Sequence, residues 1–326
     1  MDIRSIKNEA ATLLEDRQLP PRKIFFIHTV IAIGLSLLLA LISDVLDHSI
    51  STGGGLSAMP TQAALATAQA VLQLISTVAM PFWSAGLIYA ALCYAKRSSV
   101  GISDLMQGFR RFAPILTSGM MMGLQYLARG FVSVYLSAIL VMLTPFSAPA
   151  IQLTQMLAEN PQLDPLTVSV EGIGGFYAAT VVIFLLVFGL LALPIWYRYR
   201  MVNYIIMDSD KTGGLKAMLQ SRLMMQRRSW KLFRLDLSFW WFYVLELAVT
   251  ALSMGSLLAA LMGLPMPFSE DAFYWICQLA AAAGHLALYT LAGPRLQVTY
   301  ALCYQQFLQQ PEPPKPQPPK EHPWQY

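Results

Sequence analysis

A chain of 326 residues that is 56% hydrophobic and only 12% charged departs from soluble domains, which carry roughly 25% charged residues. It has too little polar surface to cover its apolar bulk in water, so the solvent its composition implies is a bilayer. The net charge is only +4, and the Lys and Arg residues flank apolar runs, which argues against a nucleic-acid partner.

The first 23 residues are mixed in charge, with Ile3, Ile6, Ala10, Leu13 and Leu14 at helical spacing. This predicts a short amphipathic helix on the cytoplasmic face, ended by Pro20-Pro21. The long, partly acidic leader and the lack of an A-x-A site make a poor signal peptide. Residues 24–42 form the first apolar run of spanning length. A loop with Asp44, Asp47 and three successive glycines follows, then a second span at about 70–94 with Pro81 inside it. The next loop carries Lys96, Arg97, Arg110 and Arg111, and its Ile102, Leu105, Met106, Phe109 and Phe112 make a second amphipathic stripe.

Further spans are predicted at about 115–143, 174–197, 237–261 and 272–291. Between the fourth and fifth lies a long basic segment, which includes an amphipathic stripe at 215–225. Met218, Met224 and Met225 are read there as membrane-facing filler. Beyond 293 a surface helix is expected, and the tail at 311–326 is too rich in proline to pack.

The placement of the 22 Lys and Arg residues orients this layout. Five precede the first span, four lie between the second and third, nine between the fourth and fifth, and three follow the sixth. The three alternate loops have none, and Arg129 is the one left over. Basic segments beside span ends resist translocation. The expectation is therefore an all-α, six-span domain at 24–310 in the cell (inner) membrane, with both termini cytoplasmic.

Motifs for catalysis are missing: no G-x-x-x-x-G-K-[ST], no H-E-x-x-H, no G-x-S-x-G. Cys93, Cys277 and Cys303 lie in or beside apolar runs without a CxxC pair, and the four histidines lack ligand spacing. No metal, no cofactor and no enzymatic activity are expected.

Two sets of residues remain as candidates. Arg129, Glu246 and His285 fall within three different spans. An ionisable group at such depth faces protein or water and finds a partner. The three are read either as a substrate or proton site or as an interhelical ion pair, with Arg129 and Glu246 expected to pair. Gln69, Gln73, Gln125 and Gln278 are read as hydrogen-bonding glue between helices. The second set is Arg222, Arg227, Arg228 and Lys231 on the basic face, candidates for contact with anionic lipid head groups. The stripes at 3–14, 102–112 and 215–225 suit lipid contact too. A protein partner at this face or at the proline-rich tail completes the expected partners.

MVNYIIMDSD, LKAMLQSRLMMQ and SWKLFRLDLSFWWF, within 201–242, resemble domain-of-unknown-function family 975, a family of bacterial multi-pass membrane proteins. GFRRF at 108–112 and LQVTYALCYQQFL after the sixth span resemble it as well. Arg227 stands where that resemblance leads one to expect glycine, in the turn before Trp230. The resemblance implies a six-helix membrane fold and no particular activity. The function expected is a non-enzymatic membrane protein that contacts lipid or a partner; the alternative is a small-molecule transporter using Arg129, Glu246 and His285.

Overall fold

A computed structural model describes residues 2–15, 21–52, 59–159, 173–255, 259 and 269–309. The described elements are helical, with no strand among them. Helix α1 (Ile3–Glu15) precedes the long α2 (Pro21–Thr52) and α3 (Met59–Ala95). A 3-10 turn (Ile102–Met106) and the one-turn α4 (Gln107–Arg110) lead into α5 (Phe112–Met142). A second 3-10 turn (Pro145–Ser147), α6 (Ala148–Glu159) and α7 (Ile173–Tyr199) follow. Then come α8 (Val202–Asp208), α9 (Gly214–Met225), α10 (Ser229–Leu237) and α11 (Trp240–Ser253), and finally α12 (Glu270–Leu291) and α13 (Gly293–Gln309). The tail expected at 311–326 lies outside the described residues.

Four stretches of the described chain are long and apolar enough to cross a membrane: Pro21–Val45, Ala63–Ala95, Phe112–Met142 and Gly175–Asp208. Two bent pairs raise the number to six if each is one span: α10 with α11, at 67°, and Ala272–Leu291 with α13, at 47°. The fold is thus all-α, with four to six helices able to span. The fifth run, expected at 237–261, differs most from expectation. Its helix starts only at Trp240, because α10 closes on Ser238, whose amide donates to Arg234 and Leu235 and whose hydroxyl donates to Leu235. The described α11 has 14 residues, about 21 Å at helical rise. Most of the remainder of that run lies outside the described residues.

Two compact units divide the chain, one of residues 1–115 and 201–326, the other of 116–200. In the first, α2 packs on α3 and on α12, and α12 packs on α11. Its most buried large side chains include Ile6, Phe25, Tyr94, Leu105, Met201, Ile206, Tyr300 and Phe307. They come from the start of α2, the end of α3 and the helices of the polar segments, so the dense core gathers at that end of the long helices. Further along α2 and α3, Leu38, Leu41 and Leu74 are exposed, as helices solvated by lipid would leave them.

The amphipathic stripe of α1 is buried rather than lipid-facing. Ile6, Ala10 and Leu13 point inward, and α1 packs against α13 and α3. The stripe at 102–112 splits: Leu105 is buried, while Ile102, Met106, Phe109 and Phe112 are exposed. Two glycines let this segment approach α3. A Cβ on Gly86 would overlap the Leu105 carbonyl, and one on Gly108 would overlap the Phe82 carbonyl.

In the second unit α6 packs on α7 and on the second 3-10 turn. Leu124, Phe131, Tyr135, Leu186 and Leu190 leave broad apolar faces of α5 and α7 exposed. Gln125 donates to the Tyr199 hydroxyl at 3.4 Å and so links these two helices.

Candidate functional site

Three carboxylates, one each on α8, α10 and α11, are taken by tyrosines of α12 and α13. Tyr304 on α13 donates to Asp208 Oδ2 at 3.2 Å, and its ring stacks on Tyr204 at 5.8 Å. Tyr300, one helical turn earlier, donates to Asp236 on α10, and its hydroxyl also meets that of Tyr243 at 2.7 Å. Tyr289 on α12 donates to Glu246 on α11. Burial and the neighbouring Asp208 carboxylate push the Tyr304 phenol well above the usual tyrosine value. Burial and Asp236 push the Cys303 thiol up to about 12, which leaves it inert as a nucleophile. The first two pairs satisfy carboxylates at the packed end of the unit, and of the three acids the sequence reading singled out only Glu246. Tyrosine spacing at 300 and 304 was visible; the acids it meets lie more than 60 positions away.

Two ion pairs reinforce the same layer. Lys96, just past α3, pairs with Asp208, and Arg111 pairs with Asp210. Chain segments on either side of α5 to α7 are clamped in this way.

Of the three buried candidates, the structure brings Glu246 and His285 together through Tyr289, whose ring lies 6.1 Å from that of His285. Arg129 belongs to the second unit, where its Nη1 donates to the Gln125 carbonyl at 3.1 Å. The glutamines are interhelical where described: Gln69 donates to Ser43 at 2.9 Å, and Gln278 to the Ser253 carbonyl at 3.3 Å. The side chain of Gln73 falls outside the described residues.

A cavity of about 510 Å³ opens between α2, α3, α11, α12 and α13. His28, Gln278, His285, Tyr289 and Gln297 supply its larger polar groups and Thr29, Ser36, Ser84 and Ser253 its hydroxyls, while alanines, leucines and isoleucines line the rest. His28 is locked reciprocally to α3: its Nε2 donates to the Trp83 carbonyl and the Trp83 indole donates to the His28 carbonyl, both at 3.2 Å.

The basic face is divided by the fold. Arg222, Arg227 and Lys231 are exposed. Arg228 is 8% exposed; its Nη1 donates to the Phe307 carbonyl at 2.8 Å and its guanidinium lies over the Phe307 ring. It tethers α13, and its burial removes it from the surface set. α9 buries Ala217, Met218, Ser221 and Met225, so Met218 and Met225 are core residues rather than membrane-facing filler. On its other side Leu215, Leu219 and Leu223 are exposed, joined by Trp230 after the turn.

A second basic feature was not read from the sequence beyond Lys231. A cleft of about 560 Å³ is walled by Arg4 and Lys7 of α1, Lys231 and Arg234 of α10, and Arg295 of α13, with Asp2 at its rim. Groups of three or more His, Cys, Asp or Glu that would hold a metal are not found among the described residues.

Compared with known proteins, residues 1–310 match the family model described as "Protein of unknown function (DUF975)". No curated protein matches the chain, and no solved structure does.

Proposed function

We propose, for a chain that belongs to the DUF975 family, a non-enzymatic protein of the bacterial inner membrane whose basic layer contacts anionic lipid head groups. In this reading six spans cross the bilayer and both termini are cytoplasmic, as the distribution of Lys and Arg favours. The observation that carries the reading is α9 and the turn after it. Leu215, Leu219 and Leu223 form an exposed apolar stripe at four-residue spacing, with Arg222, Arg227 and Lys231 exposed beside it and Trp230 at its end. A helix that leaves leucines exposed next to cations suits the boundary between head groups and acyl chains. Each Lys or Arg near an anionic surface contributes about 1 kcal/mol. A protein partner at this face, or at the proline-rich tail, is compatible with the same surface.

The test uses the full chain in nanodiscs. Thermal stability is expected to rise on replacing zwitterionic by anionic lipid, and the gain to shrink with salt. Arg222→Gln with Arg227→Gln and Lys231→Gln should remove most of it. An equal stability in both lipids at low salt overturns the reading.

A second reading, a small-molecule transporter, draws support from the cavity lined by His28, Gln278 and His285. A polar wall between candidate spans suits a hydrogen-bonding solute. In a variant whose three native cysteines are replaced, Ser36→Cys in that wall should then react with a membrane-impermeant thiol reagent. Reaction with lipophilic reagents alone counts against transport.

A further inference from the structure

The cleft between α1, α10 and α13 gathers five cations from segments far apart in the chain. Arg4 and Lys7 come from the first helix, Lys231 and Arg234 from α10, and Arg295 from the first turn of the last helix. Its one carboxylate, Asp2, accepts the Arg4 amide at 3.0 Å. Lys7 sits between the walls: its Nζ donates to the Ser238 carbonyl at 3.1 Å and lies 4.1 Å from the centre of the Phe239 ring. Among the described residues, Arg4, Lys231, Arg234 and Arg295 form no ion pair with a carboxylate. Like charges held this close repel one another, and burial together with Arg295 lowers the Lys7 ammonium below the usual lysine value. Asp208, Asp210 and Asp236 are engaged by tyrosines, Lys96 or Arg111, and Asp2 is the only carboxylate in the cleft's lining, so the lining itself supplies little to offset the charge.

The packing shows that the convergence is built rather than incidental. Ile6, Ala10 and Leu13 anchor α1 on α13, which fixes Arg4 and Lys7, on the neighbouring face of α1, against Arg295. Lys7 bonds to the residue that ends α10, which fixes α10 against α1. Three arginine forks and two ammoniums around one concavity suit a ligand with several oxygens and more than one negative charge.

We propose that this cleft is a binding site for a phosphomonoester, one per protein. A phosphomonoester carries about −1.5 to −2 charge and three terminal oxygens, whereas a phosphodiester offers a single charge and two free oxygens. The volume, about 560 Å³, admits the phosphate together with part of the group it esterifies. That group is either a lipid, with the head reaching the cleft from the bilayer surface, or a soluble metabolite. The site is independent of the α9 surface, since it shares only Lys231 with it.

The experiment measures thermal stability of the full chain in zwitterionic nanodiscs against two probes. One is inorganic phosphate added to the buffer; the other is phosphatidic acid in the disc, compared with phosphatidylglycerol at equal surface charge. Saturable stabilisation by phosphatidic acid above that by phosphatidylglycerol is expected. Saturation by inorganic phosphate as well assigns the site to soluble phosphates too; its absence assigns it to the lipid. Arg4→Gln and Arg295→Gln, both at exposed positions, should each weaken the apparent affinity by about tenfold or more. Arg222→Gln with Arg227→Gln should leave that affinity unchanged while reducing the general preference for anionic lipid. Equal effects of phosphatidic acid and phosphatidylglycerol, with no saturation by phosphate, overturn the proposal even if the α9 surface proves to bind lipid. Unchanged affinity in both cleft variants overturns it as well.

Discussion

Arg227 shows how a single side chain can sit against the preference of its backbone. Gln226 has φ −59° and ψ 121°, Arg227 has φ 62°, and the Arg228 amide donates to the Met225 carbonyl at 3.0 Å. These are the features of a type II turn, whose third residue favours glycine. A left-handed non-glycine residue costs about 1–2 kcal/mol, and glycine gives back about 0.4–1 kcal/mol through the unfolded chain. Arg227→Gly is therefore expected to raise stability by about 0.5 kcal/mol, seen as a small increase in Tm. Arg227→Ala keeps the backbone penalty and should show no gain; equal gains in both would place the effect in charge rather than conformation. The family resemblance pointed to glycine here, and the turn explains why. Arg97 repeats the pattern after α3, at φ 59°, with Arg97 donating to Tyr94 and Ser98 to Cys93, the paired bonds of a Schellman motif.

Elements in this protein are held by approaches that leave no trace in hydrophobic periodicity. Gly108 opens GFRRF, and nothing in that string says that its α-carbon lies against the carbonyl of Phe82. Gly108→Ala is expected to force α4 away from α3 and to cost about 1–3 kcal/mol, read as a lower Tm. Gly34→Ala, where a Cβ meets nothing within 4 Å, is the control and should be neutral or slightly stabilising. Equal losses in the two would separate the effect from the α3 contact. Periodicity did reveal that α1 is amphipathic, because Ile6, Ala10 and Leu13 repeat at helical spacing. It did not reveal what the stripe faces, since lipid and the apolar side of α13 select the same residues.

At the scale of the whole molecule the prediction concerns the direction in which the helices cross. The proposed topology places tags at the N-terminus, near Arg97, near Lys211 and after Tyr326 in the cytoplasm, and tags near Gly54, Asp164 and Glu270 outside. Lys and Arg are confined to alternate loops apart from Arg129, and such loops stay on the cytoplasmic side. Protease accessibility in intact cells checks this; cleavage at the Lys211 tag without lysis would invert the orientation. In that proposed layout the Tyr300–Asp236 and Tyr304–Asp208 pairs, the basic cleft and the α9 stripe would lie together on the cytoplasmic side.

Membrane class, helical content and family are legible in the amino-acid order itself. The first two depend on local quantities: apolar run length against bilayer thickness, and the 3.6-residue period. The family shows in strings such as those within 201–242. Partners across long separations are not local quantities. Arg228 belongs to the same basic run as Arg227, yet one is tied beneath Phe307 and the other is exposed, because the turn between α9 and α10 aims them apart. Arg4 and Lys7 meet Arg295 only after α1 has docked on α13. Charge along the chain carries the proposed orientation of the spans; packing in three dimensions gathers five of its cations around one cleft.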